Sequence, residues 1–264
     1  MEKMDVDIII RGTPKANGHF GAIAACLGEL KLSVEAIRSP RRAGFFTMKP
    51  FGGPSKPEEA LTDSRWIQEM KTKMKALEKN ATWELVTLPN GNNTVGCRWV
   101  FTVKHKADGS VERYKARLVA KGYIQSFEVD YQETFALVAK LNTMRVLLSL
   151  AANQDWPLLQ FDVKNDFLHG DLMEEVYMDP PPDIPKYSNI PLVCNLKKAL
   201  YGLKQSPRAW FGRFTKSMKF FDYTQSNSDR TLFLKHNQGK VTALIIYVDD
   251  MIMTGNDPDE ILSL

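Results

Sequence analysis

The sequence predicts an α+β fold in which antiparallel strand pairs are packed with helices. Residues 97–119 alternate apolar and polar side chains on both sides of an Asp-Gly pair, which is a strong β-hairpin signal. Residues 242–254 contain two apolar, β-branched runs joined by two aspartates, which indicates a second hairpin. Residues 60–77 and 143–152 repeat apolar positions at three- and four-residue steps, which is typical of amphipathic helices.

The composition fits a globular protein and argues against several classes of function. The 264 residues are 44% hydrophobic, which is enough for a core in one large or two ordinary domains. The net charge of +4 says little about partners. The three cysteines, Cys26, Cys97 and Cys194, have no CxxC spacing, so neither a zinc site nor a disulfide framework is expected. The apolar run at residues 8–10 is too short for a signal peptide or a membrane span, which predicts an intracellular, soluble protein.

The N-terminal part of the chain is predicted to be scaffolding. Residues 1–56 form an unassigned leader and linker, expected to be poorly ordered. A helix is expected to begin at Pro57, after a capping box that starts at Ser55, and to break into two near residues 62–64. The polar face of this helical segment carries the lysines that we expect to be solvated: Lys71, Lys73 and Lys75.

Two adjacent aspartates, Asp249 and Asp250, form the first candidate site. Burying ionised carboxylates in an apolar run costs several kcal/mol each unless they are hydrogen-bonded, paired or bound to a metal. Both are expected at the tight turn of the hairpin, where they can point to one side. Asp162 ends another apolar run, residues 158–163, in the same way. The alternatives are an exposed polar turn for the pair and an Asx-type turn for Asp162.

Three acids on two strands are what a two-metal phosphoryl-transfer site needs. Mg²⁺ is the natural occupant, since it prefers oxygen ligands and substrate phosphates.

The hairpin at residues 97–119 is predicted to carry a basic face. Its cations outnumber its acids and are interleaved with Trp99, Phe101 and Tyr114. Such a ribbon suits phosphate backbones and stacked bases, and the alternative is a solvated edge strand that its charges keep from aggregating. The cations are Arg98, Lys104, Lys106, Arg113, Lys115, Arg117 and Lys121.

A second basic region is predicted around a loop and the helix that follows it. Gly202 is expected to let the backbone approach a ligand, Ser206 to cap the helix, and Pro207 to occupy its first turn. The cations of this region are Lys197, Lys198, Lys204, Arg208, Arg213, Lys216 and Lys219.

Six motifs of this chain resemble, in order and spacing, the reverse transcriptase domain of copia-type retrotransposon polyproteins. They are residues 115–122 (KARLVAKG), 130–135 (DYQETF), 161–165 (FDVKN), 167–172 (FLHGDL), 200–210 (LYGLKQSPRAW) and 247–250 (YVDD). The resemblance runs from about residue 57 to the C-terminus. It implies a right-hand polymerase with an antiparallel palm sheet, in which the hairpin belongs to the fingers and the acidic strands to the palm.

The same resemblance implies an RNA-directed DNA polymerase that uses an RNA template, a DNA primer and deoxynucleoside triphosphates. Its cofactors would be two Mg²⁺ ions, with Mn²⁺ as an alternative, and no membrane would be involved. An intact element would place it in a cytoplasmic particle. Asp162, Asp249 and Asp250 are implied as the catalytic metal ligands, and Phe167 as the aromatic gate against a ribose 2′-hydroxyl. The implied substrate-binding residues also include Lys115, Arg117, Val163, Gly202, Gln205, Ser206 and Pro207.

The chain also departs from the family pattern. Asp166 stands beside the gate where the family has alanine. A carboxylate about 5 Å from a triphosphate charge would cost about 3 kcal/mol per charge at an effective dielectric constant near 20. We therefore expect Asp166 to weaken nucleotide binding unless it points away or a neighbour such as Lys164 neutralises it. Leu137 stands where proline is common, which is expected to change only loop stiffness.

The length of the chain bears on the expected activity. It ends at Leu264, where the family continues into the thumb and a ribonuclease H domain. This predicts a truncated fingers-and-palm domain at residues 57–264 with the thumb absent. The main function expected is reverse transcription, and the alternative is a catalytically inactive nucleic-acid-binding remnant of a retroelement. Without a thumb, the chain is expected to bind RNA–DNA hybrids weakly, to lose them as salt is raised, and to extend a primer barely or not at all. Nucleotide cyclisation on a palm fold has no specific support, because the gate and fingers motifs fit a templated polymerase better.

Overall fold

The computed structural model describes residues 53–263 except 55, 107, 129, 133, 135–137, 164, 183–191 and 249, and only the backbone at 162, 262 and 263. The chain divides into two compact units, each built from separated segments. The described part of unit 1 comes from residues 137–164 and 215–264, and that of unit 2 from residues 48–136 and 165–214. The predicted leader lies outside the described residues apart from 53, 54 and 56, so its boundary stays a prediction.

Five α-helices and two short 3₁₀ helices are described. The α-helices are α1 (Pro57–Ala60), α2 (Ser64–Lys79), α3 (Leu141–Asn153), α4 (Ser206–Phe220) and α5 (Pro258–Ser263), and the 3₁₀ helices are Gly122–Ile124 and Asp166–His169. The predicted break after α1 is confirmed, and Asp63 caps α2 by accepting a 2.9 Å hydrogen bond from the Arg65 backbone N–H. Lys56 rather than Ser55 occupies the N-cap position of α1, and its side chain makes no cap hydrogen bond.

Eleven β-strands are described. They are β1 (Trp83–Val86), β2 (Thr94–Val95), β3 (Cys97–His105), β4 (Val111–Ala120), β5 (Leu158–Asp162), β6 (Tyr177–Met178), β7 (Val193–Leu196), β8 (Thr224–Gln225), β9 (Leu232–Asn237), β10 (Lys240–Tyr247) and β11 (Asp250–Gly255).

Unit 1 is built on a five-stranded sheet in the order β5-β11-β10-β9-β8, in which every pair is antiparallel. The hairpin β10–β11 lies at its centre, because residues 243–246 are apolar and buried on both faces of the sheet. Helix α3 packs Met144 and Leu147 against Ile245 and Ile252 on one face. This packing holds the end of β5 beside the start of β11.

Unit 2 contains the long hairpin β3–β4 and a second, four-stranded sheet. The hairpin turns at Gly109, whose φ of +82° favours glycine, and Asp108 accepts a 2.9 Å hydrogen bond from the Ser110 backbone N–H. Helix α2 packs Trp66 and Met70 onto the inner face of the hairpin. The second sheet has the order β1-β7-β6-β2 and includes one parallel pair, β2–β6, which the sequence pattern did not predict.

The predicted α+β class with antiparallel sheets is confirmed by both units. No helix in the described part of the chain has the length and hydrophobicity needed to cross a membrane.

Candidate functional site

The predicted acidic hairpin is present in unit 1. Tyr247 on β10 pairs with Asp250 on β11, so the turn between them has two residues. Val248, the first of them, has a φ of +57°, an unfavourable conformation for a β-branched residue. Asp249, the second, lies outside the described residues. Asp250 is the first residue of β11, so it does not lie in the turn where the sequence predicted it.

Asp250 lies directly opposite Asp162, the last residue of β5, in the antiparallel register of these strands. Directly opposed positions share one face of a sheet, with Cβ atoms about 4.5–5.5 Å apart, and like charges there are destabilising. Asp250 also accepts a 3.3 Å hydrogen bond from Gln160 Nε2. Two acids placed in this way fit the ligand set of a divalent cation, which would relieve their repulsion. Val163 follows Asp162 and is buried.

The outer face of the β3–β4 hairpin in unit 2 is basic, as predicted. Lys104 lies opposite Arg113, Lys115 opposite Thr102, and Arg117 opposite Val100. Directly opposed like charges are unfavourable unless an anion lies between them. The face therefore suits a run of phosphate groups.

The aromatic residues of this hairpin do not lie on the basic face. Trp99 and Phe101 alternate with the cations and are buried in the core of unit 2. Tyr114 is half-buried, and its ring contacts Trp66 edge-on at a centroid distance of 4.8 Å. The expected stacking of bases on these three rings is therefore wrong. The rings alternate with the cations along the strands, so they point to the opposite face of the hairpin, which packs on the core.

Lys73 adds a cation that the sequence pattern assigned to the solvated face of its helix. It is 9% exposed, and its Nζ donates a 2.8 Å hydrogen bond to Asn165 Oδ1. Burial lowers the pKa of Lys73 to about 8, a shift that Asp166 opposes and that Lys115 and Arg117 add to. Lys73 therefore lies within electrostatic range of two predicted phosphate-binding residues.

Asp166 is fully buried in the same part of unit 2, at the start of the second 3₁₀ helix. Its Oδ1 accepts a 2.7 Å hydrogen bond from the Tyr201 hydroxyl, and its charge acts on Lys73. The expected neutralising neighbour, Lys164, lies outside the described residues, and Lys73 supplies a positive charge instead. Phe167, the predicted gate, is 8% exposed and meets the Tyr201 ring edge-on at 4.6 Å.

The loop before α4 is held by its own polar groups. The Ser206 hydroxyl donates to the Leu200 carbonyl at 2.7 Å and accepts from the Leu200 N–H at 3.0 Å. It therefore closes the loop rather than capping the helix as expected. Gln205 is also buried, and its amide bonds to Gln125 and to the Asp130 carbonyl.

The glycine of this loop is required by close packing. Gly202 has a φ of +95°, and a Cβ there would lie 2.1 Å from the Ala120 carbonyl oxygen on β4. The backbone approach predicted for Gly202 is thus made to β4. Pro207 occupies the first turn of α4, as predicted. Whether these residues bind substrate stays a prediction.

The second basic region is partly neutralised within unit 2. The lysines at 197 and 198 pair with Glu84 and Asp171 at 3.3 and 2.6 Å, and Arg208 pairs with Glu174. These three cations therefore offer less positive charge to a ligand than the sequence pattern predicted.

Comparison with known proteins identifies the family of this chain. A family profile described as reverse transcriptase (RNA-dependent DNA polymerase) matches residues 80–264. The chain is 45% identical over 201 residues to the retrovirus-related Pol polyprotein from transposon RE1 of Arabidopsis thaliana, covering 76% of this chain and 14% of that protein.

Two further relatives give the same result. The Pol polyprotein from transposon RE2 of Arabidopsis thaliana is 45% identical over 200 residues, covering 75% of this chain and 14% of that protein. The one from transposon TNT 1-94 of Nicotiana tabacum is 42% identical over 199 residues, covering 75% of this chain and 15% of that protein. The chain thus spans about one seventh of the length of the curated relatives it matches. It belongs to the reverse transcriptase (RNA-dependent DNA polymerase) family and corresponds to the reverse transcriptase domain of copia-type Pol polyproteins.

Proposed function

We propose that this chain extends a DNA primer on an RNA template by nucleotidyl transfer from deoxynucleoside triphosphates. The observation that carries the proposal is the direct opposition of Asp162 and Asp250 at adjoining strand ends. Family membership supports the same reaction. In this proposal the sheet of unit 1 is the polymerase palm, and the β3–β4 hairpin belongs to the fingers.

Asp162, Asp249 and Asp250 would hold two Mg²⁺ ions, or Mn²⁺ in their place. Carboxylate oxygens are the ligands that these hard cations prefer. Bound there, the ions supply charge stabilisation for the attacking 3′-hydroxyl and for the leaving pyrophosphate. The contribution of the chain is the fixed position of the acids, which the hydrogen-bonded strands β5 and β11 provide before any ligand binds.

The basic face of the β3–β4 hairpin would bind phosphate. Lys115 and Arg117 are assigned to the triphosphate of the incoming nucleotide, and Lys104 and Arg113 to the nucleic-acid backbone. Positive charges aimed at the phosphoryl group stabilise the charge that develops during transfer. Lys104 and Arg113 are assigned to the nucleic-acid backbone because they lie nearer to the turn of the hairpin than Lys115 and Arg117.

Phe167 would oppose a ribose 2′-hydroxyl by the bulk of its ring, and Val163 would be a further substrate-binding residue. Gln205 and Ser206 would act through the shape of the loop that they hold, because their side chains are committed to it. Gly202 and Pro207 would contribute loop backbone and the helix start.

The proposal is tested by primer extension with the 264-residue chain, an RNA template, a DNA primer, deoxynucleotides and Mg²⁺. We expect weak extension by the unaltered chain, none by Asp250→Asn, and the same weak extension by Asp222→Asn. Asp222 is an exposed aspartate of unit 1 with a φ of +63°, which asparagine tolerates. Hybrid binding without extension by the unaltered chain would contradict the proposal and favour the nucleic-acid-binding alternative.

A further inference from the structure

A connected group of side chains in unit 2 surrounds the proposed gate. We call it the Asp166 network, and it consists of Lys73, Asn165, Asp166, Phe167 and Tyr201. Its central contacts are the 2.7 Å hydrogen bond from the Tyr201 hydroxyl to Asp166 and the edge-on packing of Tyr201 against Phe167. Asp166 is thus linked to the gate through one intervening ring.

The Tyr201 ring is held at both ends. The backbone carbonyl of Tyr201 accepts a 2.7 Å hydrogen bond from the Ala120 N–H on β4, and the next residue, Gly202, packs directly on the same strand. Its hydroxyl is bound by Asp166 at the other end. An aromatic ring fixed at its backbone and at its tip has little freedom, so Phe167 packs against a rigid surface.

Lys73 makes a buried carboxylate tolerable at position 166. An ionised carboxylate in a protein interior costs several kcal/mol unless a charge and hydrogen bonds compensate it. Lys73 acts electrostatically on Asp166, and its Nζ lies 5.8 Å from the centre of the Tyr201 ring. The bond from Lys73 to Asn165 ties α2 to the residue that precedes Asp166.

We propose that Asp166 is a positioning residue, which fixes the Phe167 ring through Tyr201 and so sets how strictly the chain separates deoxyribonucleotides from ribonucleotides. Lys73 is the nearby positive charge that acts on Asp166 in this role. The inference rests on the proposed function, because it concerns the nucleotide that Phe167 would contact. It replaces the expectation that Asp166 acts by repelling the triphosphate.

The first test is the binding of dATP and of ATP to the full chain on an RNA–DNA hybrid whose primer ends in a dideoxynucleotide, so that no bond forms. Tyr201→Phe keeps the ring and removes the hydroxyl. We expect it to lower the preference for dATP by about tenfold, the size of one lost hydrogen bond to a charged group. Asp166→Asn should act in the same direction, with dATP affinity retained and ATP affinity increased.

Two variants serve as references. Phe167→Ala removes the gate itself and should abolish the preference. Tyr177→Phe is the matched control, because the Tyr177 hydroxyl also bonds to a carboxylate of unit 2, Glu175, at 3.4 Å. Tyr177→Phe should leave the preference for dATP unchanged. If general destabilisation were the cause of a lowered preference, this variant would lower it as well.

The second test is independent of nucleotides. Denaturant unfolding of Tyr201→Phe, Asp166→Ala and the double variant measures their coupling, because alanine, unlike asparagine, leaves no acceptor for the Tyr201 hydroxyl. We expect a coupling of about tenfold in the unfolding equilibrium constant. Additive effects would show that the hydrogen bond does not link the two residues, and would overturn the inference.

The outcomes separate the inference from the proposed function. If Phe167→Ala abolishes the preference while Tyr201→Phe and Asp166→Asn keep the wild-type value, the inference is wrong and the proposed gate stands. If Phe167→Ala has no effect, or if the chain binds neither nucleotide, the proposed function fails and the inference fails with it.

Discussion

Asp250, the first residue of β11, lies directly opposite Asp162, the last residue of β5. Two carboxylates in such positions repel each other, so the strand pairing alone does not account for them. In the proposed function, a divalent cation bound between them would relieve this repulsion. Removing one of the two charges should therefore weaken cation binding and increase the free energy of unfolding.

Asp250→Asn should weaken the binding of Mn²⁺ to the chain by at least about tenfold, since even indirect partners of a metal contribute that much. In EDTA the same variant should raise the free energy of unfolding by up to about 1 kcal/mol, because it removes the repulsion. Electron paramagnetic resonance of free Mn²⁺ and denaturant unfolding measure the two effects. Asp222→Asn should change neither, and unaltered Mn²⁺ binding by Asp250→Asn would refute the metal assignment.

The outward cations of the β3–β4 hairpin should bind a nucleic-acid backbone. Lys104→Gln and Arg113→Gln should each weaken binding of an RNA–DNA hybrid and lower the slope of log K against log salt by about one. Lys197→Gln is the matched control, because it removes the same charge from a lysine that pairs with Glu84. A fluorescence anisotropy titration over a range of salt concentrations measures the slopes. Equal losses in all three variants would point to overall charge rather than to this face.

Gly202 is predicted to be irreplaceable in its loop. Gly202→Ala combines a left-handed backbone with a Cβ that would lie 2.1 Å from the Ala120 carbonyl oxygen, so we expect a loss of at least about 3 kcal/mol in the free energy of unfolding. Gly109→Ala separates the two causes. Its φ is +82° and a Cβ there meets nothing within 4 Å, so it should cost only about 1–2 kcal/mol. Equal costs in denaturant unfolding would remove the close approach as the reason for the glycine.

Lys73 should make the stability of the chain depend on pH in the alkaline range. Burial lowers its pKa from 10.5 to about 8, so the unfolded chain holds more protons than the folded chain between these values. The free energy of unfolding contributed by this group must therefore rise with pH across that window, by about 2 kcal/mol from pH 8 to pH 10.

The comparison with Lys73→Met isolates this contribution from other groups that titrate there. The free energy of unfolding of the unaltered chain, relative to that of Lys73→Met, should increase from pH 8 to pH 10. The charged groups that influence Lys73 are Asp166, Lys115 and Arg117. If the difference in the free energy of unfolding between the two proteins stays constant with pH, folding does not lower the pKa of Lys73.

Local pattern was sufficient to predict the two hairpins and to single out the acids at strand ends. Alternation of apolar and polar residues predicted the β3–β4 hairpin and its basic face, because side chains on a strand point to opposite faces in turn. Two continuous apolar runs predicted the β10–β11 hairpin. An isolated carboxylate in an apolar run marked Asp162 and Asp250, since burying a charge needs a reason. The roles of these acids, and of Asp249, remain predictions.

Tertiary packing decided what the sequence alone left open. Periodicity separates the two faces of a strand or helix, but it does not tell which polar residue will be covered by a distant segment. Trp99 and Phe101 therefore lie in the core rather than beside the phosphate-binding cations, and Lys73 is buried on a face that its helix predicts to be polar. Asp166 meets Tyr201, a residue 35 positions away, only because the fold brings their segments together. Long-range contacts of this kind depend on the whole arrangement of the chain, which no local pattern encodes.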